Sequence, residues 1–553
     1  SPNGHKYIRE FDCESVPRTT YRVGGVILTK EKIFISHENR ILIRYTLVEA
    51  HSPTTLRLRP HLAFREANAL VQENDQINTE CPPCENGVSA LLYPGYPRLY
   101  MQLNHKPEWH YEPNWYKGFE YVKDMERGVP YVEDLWVPGY FEVPIKKGES
   151  IIFSAGVSEV SPRSLAKMYE KEIATRTCRT SFFNCLKNAV KQCYIKEEDR
   201  MYLISGFPWG KILARNTFMA LPGATIAIDH AIMQTASDEL NHFMVSGDAT
   251  GRIQGMDLPD IPLWAVWALQ QYAKAYGMDE ARERYVELVD SIITYIREQH
   301  HPNLYINEDG LLSTDGSVTP VSWMNAAIDG RPVVPRTGFL VEFNALWYNA
   351  LVFASKLAEG IPSLEEKAAS WTALAERMKP AFISMFLNDY GYLYDYVNGS
   401  YADPSVRPNM AVAIGMDYSP LDRRQRKGVL DVVTRELLTP KGLRTLSPKS
   451  YGYRPFYQGS PYDREMALHN GPARPWLMGF YSDAYLKVFG LSGVSYIDRM
   501  LIGFEEEMSQ GCIGSLSQLY DGNPPFAGRG AISHATNIAE VLRTLRTLKK
   551  ISV

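Results

Sequence analysis

The hydrophobic periodicity of this chain changes once along its length, near Ser161. Ahead of this point, short runs such as 21–28 and 41–48 alternate or are rich in β-branched residues, and Pro, Gly and Asn separate them, as in antiparallel strands. From Ser161 onward, a helix cap with proline in the first turn is followed by apolar residues at the 3.6-residue period of helices. The sequence therefore predicts a β-sandwich domain over residues 1–158 and a helical domain over residues 159–553.

Long loops rich in Gly, Pro and aromatic residues join the predicted helices, and loops of this length inside a compact domain are usually functional. A ring of paired inner and outer helices, the (α/α)6 toroid, accommodates such loops by gathering them at one mouth. The expected fold class is therefore mainly α, an (α/α)6 toroid preceded by an antiparallel β-sandwich. The predicted helices are 162–196, 216–243, 259–276, 279–300, 341–359, 363–388, 408–418, 420–438, 473–490, 495–510 and 531–548.

The charge of the chain argues against several classes of partner. The formal net charge is −4 and the pI is near 6.3, so no basic surface for nucleic acid or an anionic membrane is predicted. No apolar run approaches the roughly 18 residues of a membrane span. The seven cysteines are an odd number, which favours a reducing compartment, and we expect a cytoplasmic protein. Cys81 and Cys84 form a CxxC pair without further ligands; two free thiols are the favoured interpretation over a metal or redox centre. No metal or cofactor is expected.

The segment 322–336, continued by 342–351, concentrates tryptophans, amides, two arginines and a carboxylate in a loop that runs into a helix. Tryptophan faces stack on sugar rings, while planar arginines, amides and carboxylates bind paired hydroxyls. This combination is typical of a sugar site. Aromatic residues also occur at 109–116, where contact with glucan and packing between the sheets are the two alternatives.

These motifs resemble the amylo-α-1,6-glucosidase module of bacterial-type glycogen-debranching enzymes, over essentially all of residues 160–548. The resemblance implies the (α/α)6 toroid, an inverting mechanism with one acid and one base carboxylate, and α-glucan or branched maltooligosaccharide as the bound partner. It also implies that more of the β domain precedes Ser1. The sequence does not indicate an oligomeric state.

The chain departs from the family pattern at three positions, and each departure is an amide. Asn325 follows Trp-Met, where the family has the aspartate that serves as general acid. Gln518 occupies the position of the catalytic base. Asn216 replaces the aspartate of a Gly-Arg-Asp motif that holds the terminal glucose. A neutral amide cannot transfer a proton as these carboxylates do, so the acid and base positions are both without their expected chemistry.

The resemblance also assigns a set of substrate-binding positions, and we predict that all of them except Asp395 and Trp476 line one cavity together with Asn325 and Gln518. For Trp347 and Trp476 core packing is the alternative, for Arg407 a helix cap, and for His469 a histidine that is satisfied internally. The predicted binding residues are Trp209, Arg215, Asn216, Asp257, Trp323, Arg336, Glu342, Trp347, Asp395, Arg407, His469 and Trp476.

Several interpretations of the amides remain open. The chain is a debranching-type glycoside hydrolase for α-1,6-linked glucose with weak or lost turnover, a catalytically inactive α-glucan-binding paralogue, or a hydrolase that uses other carboxylates. A deliberately inactivated variant is a further alternative, although three changes are more than inactivation needs. A scaffold protein without a sugar site would explain the missing acids but not the retained tryptophans and arginines. Carboxylates in or beside the loops are Asp315, Asp329, Glu342, Asp463, Glu465 and Asp521.

Overall fold

The structure is a computed structural model that describes residues 3–224 and 230–552. It divides the chain into two compact units, Ser1–Thr180 and Ser181–Val553. Within the described residues, no helix combines the length and the apolar character that crossing a membrane requires.

The first unit consists of two antiparallel sheets. The larger has the strand order β1-β2-β3-β4-β11-β8-β7-β6 and the smaller has the order β5-β10-β9. The strands and helices of this unit are β1 (Ile8–Asp12), β2 (Arg18–Val23), β3 (Val26–Phe34), β4 (Arg40–Glu49), β5 (Thr54–Leu58), β6 (Pro83–Cys84), β7 (Gly87–Ala90), β8 (Leu99–Leu103), β9 (Glu108–Glu120), α1 (Val122–Glu126), β10 (Val132–Ile145), β11 (Ser150–Gly156) and α2 (Leu165–Ala174).

Side chains from both sheets meet in one core cluster, which includes Met101 of the larger sheet and Phe141 of the smaller. The aromatic run 109–116 lies in β9 and not in a loop; its Trp109 packs 4.5 Å from Phe141 and its Trp115 packs on the same core. Packing against the sheet core is therefore the role of these two tryptophans. The Cys81 and Cys84 thiols are unpaired, and burial raises the pKa of each to about 11, which disfavours the reactive thiolate.

The predicted domain boundary at residue 158 differs from the structural one, which lies between residues 180 and 181. The cause is α2, whose Leu165 and Tyr169 pack with Ile152 on the second face of the larger sheet. The predicted helix 162–196 is wrong in extent, because α2 ends in a stretch rich in threonine, a weak helix former. Ser181 then caps a new helix by accepting a hydrogen bond from the Asn184 N–H.

The second unit is mainly helical. The predicted helix 216–243 corresponds to two helices, and residues 225–229 between them lie outside the described residues. The helices are α3 (Phe182–Lys191), α4 (Ala214–Ala224), α5 (Ala231–Ser246), α6 (Ile261–Tyr276), α7 (Met278–Arg297), α8 (Val341–Leu357), α9 (Glu365–Phe386), α10 (Asn409–Gly415), α11 (Arg423–Leu437), α12 (Pro461–Ala467), α13 (Leu477–Phe489), α14 (Val494–Glu505) and α15 (Ala535–Ser552).

Six of these helices contact one another in a closed cycle, in the order α4, α6, α8, α10, α13, α15 and back to α4. Six others, α3, α5, α7, α9, α11 and α14, each contact at least one member of the cycle. The sequences differ accordingly: every residue of α10 is buried, whereas α7 buries one face only, including Tyr285, Val289 and Ile292. A helix that is apolar on all sides needs partners on all sides, which the cycle provides.

The loops between the helices contain short strands that sequence periodicity does not reveal. Two predicted helices begin later than expected for this reason: 473–474 and 533–534 pair as strands before α13 and α15 start. These strands are β12 (Tyr194–Glu197), β13 (Arg200–Leu203), β14 (Gly206–Phe207), β15 (Tyr305–Ile306), β16 (Leu312–Ser313), β17 (Ala327–Ile328), β18 (Arg331–Pro332), β19 (Phe339–Leu340), β20 (Tyr396–Asn398), β21 (Tyr401–Ala402), β22 (Leu438–Thr439), β23 (Gly442–Arg444), β24 (Ala473–Arg474), β25 (Leu519–Tyr520), β26 (Gly528–Arg529) and β27 (Ser533–His534).

Candidate active site

The second unit contains a cavity of about 290 Å³ among its loops. The five-stranded sheet β22-β23-β24-β25-β26 and the pair β14–β27 bring the loop segments of its wall together. The amino-terminal turns of α4 and α15 also reach the wall. The lining residues are Ser205, Gly206, Trp209, Gly210, Lys211, Leu213, Arg215, Asn216, Met219, Trp323, Asn325, Leu468, Arg474, Trp476, Gln518, Ala531, His534 and Thr536.

The cavity brings together half of the residues that the sequence predicts for the site. The predicted residues on its wall are Trp209, Arg215, Asn216, Trp323, Asn325, Trp476 and Gln518. The predicted residues that do not line it are Asp257, Arg336, Glu342, Trp347, Asp395, Arg407 and His469.

Asn325 and Gln518, the residues predicted at the acid and base positions, are held by different partners. The backbone N–H of Asn325 donates to Nε2 of His469 at 3.1 Å. The side-chain oxygen of Gln518 accepts the backbone N–H of Ala531 at 3.0 Å. Gly530 makes this approach possible: it has a positive φ of 70°, and a Cβ there would lie 2.4 Å from the same Gln518 oxygen. The amide of Gln518 is therefore oriented by the backbone beside it.

His469 lies directly behind the cavity wall and is neutral. It is buried, and burial, together with the positive charges of Arg474 and Arg407, holds the pKa of His469 well below its ordinary value. Since Nε2 accepts the Asn325 N–H, the proton is assigned to Nδ1. His469 also packs edge-on against Trp323 at 5.3 Å, so it supports two residues of the wall without lining it.

Arg215 on the first turn of α4 forms a two-point salt bridge with Asp260. Its Nε and one terminal nitrogen donate to the two carboxylate oxygens at 2.6 and 2.8 Å, and Asp260 is buried. Trp264 donates to the same carboxylate at 3.1 Å. The predicted Asp257 is exposed instead, and its backbone oxygen contacts His301. Asp260 is thus the carboxylate that binds Arg215, whereas the sequence analysis named Asp257, three positions earlier. Both aspartates precede α6, and burial is what distinguishes them.

Glu342 and Asp395 bind Arg336 in the core. Arg336 is fully buried, donates to both oxygens of Glu342, and donates to Asp395 at 2.7 Å. Asn409 connects this group to the wall, because it donates to Asp395 at 2.8 Å and accepts the indole N–H of Trp323 at 2.7 Å. These carboxylates are therefore linked to the wall through Asn409 and Trp323 and do not line the cavity themselves.

Two further predicted residues also have internal partners. Trp347 is fully buried in α8 and donates to the backbone oxygen of Gly310 at 3.0 Å, which matches the core alternative. Arg407 is buried and donates to the backbone oxygen of His469 at 2.6 Å and to the side chain of Asn470 at 3.0 Å. Arg407 thus holds the chain segment that carries His469.

Arg474, His534 and Thr536 line the cavity and were not predicted. Thr536 accepts a hydrogen bond from the Asn216 amide at 3.1 Å. Burial and the charge of Arg474 lower the pKa of His534 to about 3, so this imidazole is neutral. Arg474 comes two residues before the predicted Trp476. This position is the sequence feature that could have indicated Arg474 as a residue of the wall.

No carboxylate is among the described residues that line the cavity. Asp521 is buried and accepts from Arg529, and Glu465 accepts the Ala327 N–H at 3.3 Å. Asp463 accepts hydrogen bonds from Ser460, the N-cap of α12, and Asp315 accepts one from Ser317. Asp329 is exposed and Glu342 is bound to Arg336. None of the alternative carboxylates therefore lies on the wall of the cavity as a replacement acid or base.

The family model described as amylo-alpha-1,6-glucosidase matches residues 186–543. The chain belongs to the amylo-alpha-1,6-glucosidase family. A second model, described as glycogen debranching enzyme N terminal, matches residues 1–152. The glycogen debranching enzyme of Saccharomyces cerevisiae is 24% identical over 190 residues, a match that covers 28% of this chain and 12% of the yeast protein. The match therefore spans a small part of the yeast protein.

Among solved structures, a bacterial glucoamylase complexed with acarbose is similar to this amylo-alpha-1,6-glucosidase family member. The TM-score is 0.59 at 13% sequence identity, over 99% of this chain and 85% of the glucoamylase. At this identity the likeness concerns the fold: an N-terminal antiparallel sheet domain followed by a helical part.

Proposed function

We propose that this chain binds α-glucan in the cavity of an (α/α)6 toroid and hydrolyses α-1,6-linked glucose weakly or not at all. The observation that carries the proposal is the composition of the cavity wall: it presents Trp209, Trp323 and Trp476 together with Asn216, Asn325 and Gln518, and no carboxylate among the described residues. The tryptophans suit sugar rings and the amides suit hydroxyls, but neither can transfer a proton.

The closed six-helix cycle and the second set of helices that contact it support the toroid. The likeness to glucoamylase supports the same architecture. Two antiparallel sheets with a shared core support the β-sandwich in the first unit. In this arrangement the amino-terminal turns of α4 and α15 and the loops ahead of α13 form the mouth of the toroid.

The chemistry of the wall argues for binding over turnover. Glycoside hydrolysis by inversion needs one protonated carboxyl beside the leaving oxygen and one carboxylate that activates water, roughly 6.5–9.5 Å apart. Asn325 and Gln518 occupy these positions by family resemblance, and the alternative carboxylates have partners elsewhere or lie off the wall. The catalytically inactive α-glucan-binding paralogue is therefore favoured over a hydrolase with a replacement acid and base.

The test compares glucose release with binding in the unmodified chain. We expect a branched maltooligosaccharide to bind in a calorimetric titration, while glucose release from it stays near the background rate. Acarbose, the ligand of the similar glucoamylase, serves as a second probe of binding. Robust release of glucose by the unmodified chain would contradict the proposal, and so would the absence of any binding of these oligosaccharides.

The double variant Asn325→Asp with Gln518→Glu tests the assigned roles. The Ala531 N–H that now donates to Gln518 would stabilise an ionised Glu at this position, as a base requires. General acid–base catalysis contributes about 10²–10⁴-fold, so glucose release should rise by at least about 10²-fold. The matched control, Asn398→Asp with Gln510→Glu, changes the same residue types at exposed positions and should leave release at background. An equal gain in both double variants would contradict the assignment.

A further inference from the structure

We infer that the sugar bound in this cavity carries an anionic group, a phosphate or a carboxylate, and that the guanidinium of Arg474 binds it. The inference rests on the proposed sugar-binding function of the cavity and specifies its ligand. The observation behind it is the positive charge of Arg474, which no described residue neutralises through a salt bridge.

Arg474 is 6% exposed, lines the cavity and makes no salt bridge with a described residue. One terminal nitrogen donates to the backbone oxygen of Leu468 at 3.3 Å, and Nε has no hydrogen-bond partner among the described residues. Arg215, on the same wall, differs because Asp260 neutralises it through two hydrogen bonds. Arg474 is thus a buried cation without an anion.

Other groups around the cavity add to the positive potential. Lys211 lies on the wall. The amino-terminal turns of α4 and α15 reach the wall, and helix amino termini carry partial positive charge. Glu465 is a carboxylate whose charge acts on Arg474, but it accepts the Ala327 N–H and does not line the cavity.

An isolated buried charge is unfavourable unless it is paired, and an arginine fork matches the two oxygens of a phosphate or carboxylate. A neutral glucan would leave Arg474 without this partner.

The three amides of the wall also favour an anion, because they carry no negative charge. Asn216, Asn325 and Gln518 are neutral, and no carboxylate is among the described residues of the wall, so none of these groups repels an anionic sugar. His534, which packs on the same wall, is neutral and leaves its Nδ1 without a partner among the described residues.

The size of the cavity suits a single sugar unit. Pockets for small molecules usually measure about 300–1,000 Å³. At about 290 Å³ this cavity lies just below that range. The anionic group is therefore expected on the terminal ring that enters the cavity, and not on a distant unit of the glucan.

The experiment measures the affinity of the unmodified chain for glucose, glucose 6-phosphate, glucose 1-phosphate, glucuronate and inorganic phosphate by calorimetry. We expect at least one anionic hexose to bind about tenfold or more tightly than glucose at low ionic strength, and the difference to shrink in high salt. The comparison of the two phosphates with glucuronate identifies which anion is recognised.

Variants test the role of Arg474. Arg474→Gln should reduce the affinity for the anionic hexose to that for glucose, whereas Arg474→Lys should retain part of the difference because the charge stays while the fork is lost. Arg331→Gln removes one exposed positive charge outside the wall and should change neither affinity.

Three outcomes would overturn the inference. If glucose binds as tightly as every anionic hexose, the inference fails and the proposed glucan binding stands. If neither the hexoses nor branched maltooligosaccharide binds, both fail. If inorganic phosphate, which carries no sugar, binds as tightly as the sugar phosphates, the site recognises an anion and not an anionic sugar, and the inference fails. The comparison of ligands on the unmodified chain decides among these results even if Arg474→Gln does not fold.

Discussion

At the scale of single residues, the amides of the cavity wall accept and donate hydrogen bonds but carry no charge. Gln518 accepts a backbone N–H, as a carboxylate oxygen would. Asn216 uses the opposite capacity of an amide and donates to Thr536, which a carboxylate cannot do. Hydrogen bonds to neutral groups contribute about 1 kcal/mol, against about 1.5–3 kcal/mol for charged groups. Under the proposed function, each amide therefore weakens sugar binding without abolishing it, whereas proton transfer is lost.

The salt bridge between Arg215 and Asp260 gives the first stability prediction. Asp260→Asn leaves the Arg215 cation buried without its anion, and breaking a buried pair in this way costs on the order of 3 kcal/mol. We expect a lower free energy of unfolding in urea and weaker glucan binding. Asp257→Asn changes the same residue type at an exposed position three residues earlier and serves as the control. Equal destabilisation by the two variants would contradict the role assigned to Asp260.

At the scale of elements, short strands organise the loops that form the cavity. Gln518 immediately precedes β25, and Gly530 immediately follows β26. The pairing of these two strands sets the Gln518 amide beside Gly530 and Ala531. Strands of two or three residues leave too little alternation to be recognised from sequence, so these loops are more ordered than their composition indicates.

Gly530→Ala tests this arrangement. Both Gly530 and Gly511 have positive φ angles, 70° and 55°, where an alanine costs about 1–2 kcal/mol in backbone strain. Only at Gly530 does the added Cβ also collide with a side chain, that of Gln518; at Gly511 nothing lies within 4 Å. We expect both variants to lose stability in thermal unfolding, and only Gly530→Ala to lose affinity for maltooligosaccharide. An equal loss of affinity in Gly511→Ala would contradict this account.

At the scale of the helical unit, ion pairs connect helices that are distant in sequence. Asp417, just after α10, binds Lys274 of α6 at 2.9 Å and Lys487 of α13 at 3.1 Å. Three of the six helices of the cycle are therefore joined through one carboxylate. Burial alone would raise the pKa of Asp417, but Lys487 and Lys274 outweigh burial and hold it well below its usual range.

This shift predicts how acid affects the fold. Because the folded state resists protonation of Asp417 while the unfolded chain takes up a proton near pH 3.8, the contribution of the group is fully present above that pH. It is lost as the pH falls toward the folded pKa. We expect Asp417→Asn to lower the free energy of unfolding at neutral pH and to make its decline below about pH 5 shallower. Asp389→Asn, at an exposed position, is the control, and an unchanged acid slope in Asp417→Asn would contradict the prediction.

The sequence alone determined the order of the main elements and the family. The change of period near Ser161 separates strands from helices, and α6 and α8 lie where the apolar periodicity predicts them. It also predicted Trp323, Asn325 and Gln518, which the cavity brings together. These predictions are correct because periodicity and motifs depend on residues that are neighbours along the chain.

Only the tertiary structure decided which side chains reach the cavity. Asp260 and not Asp257 binds Arg215, and Glu342 binds Arg336 in the core although it belongs to the same motif as the wall residues. Arg474 reaches the wall through the pairing of β24 with β23 and β25. The reason is physical: the pairing of Arg215 with Asp260 and of Arg336 with Asp395 joins residues 45 and 59 positions apart. Local sequence does not encode such contacts, so it predicts residue types near a site but not their partners.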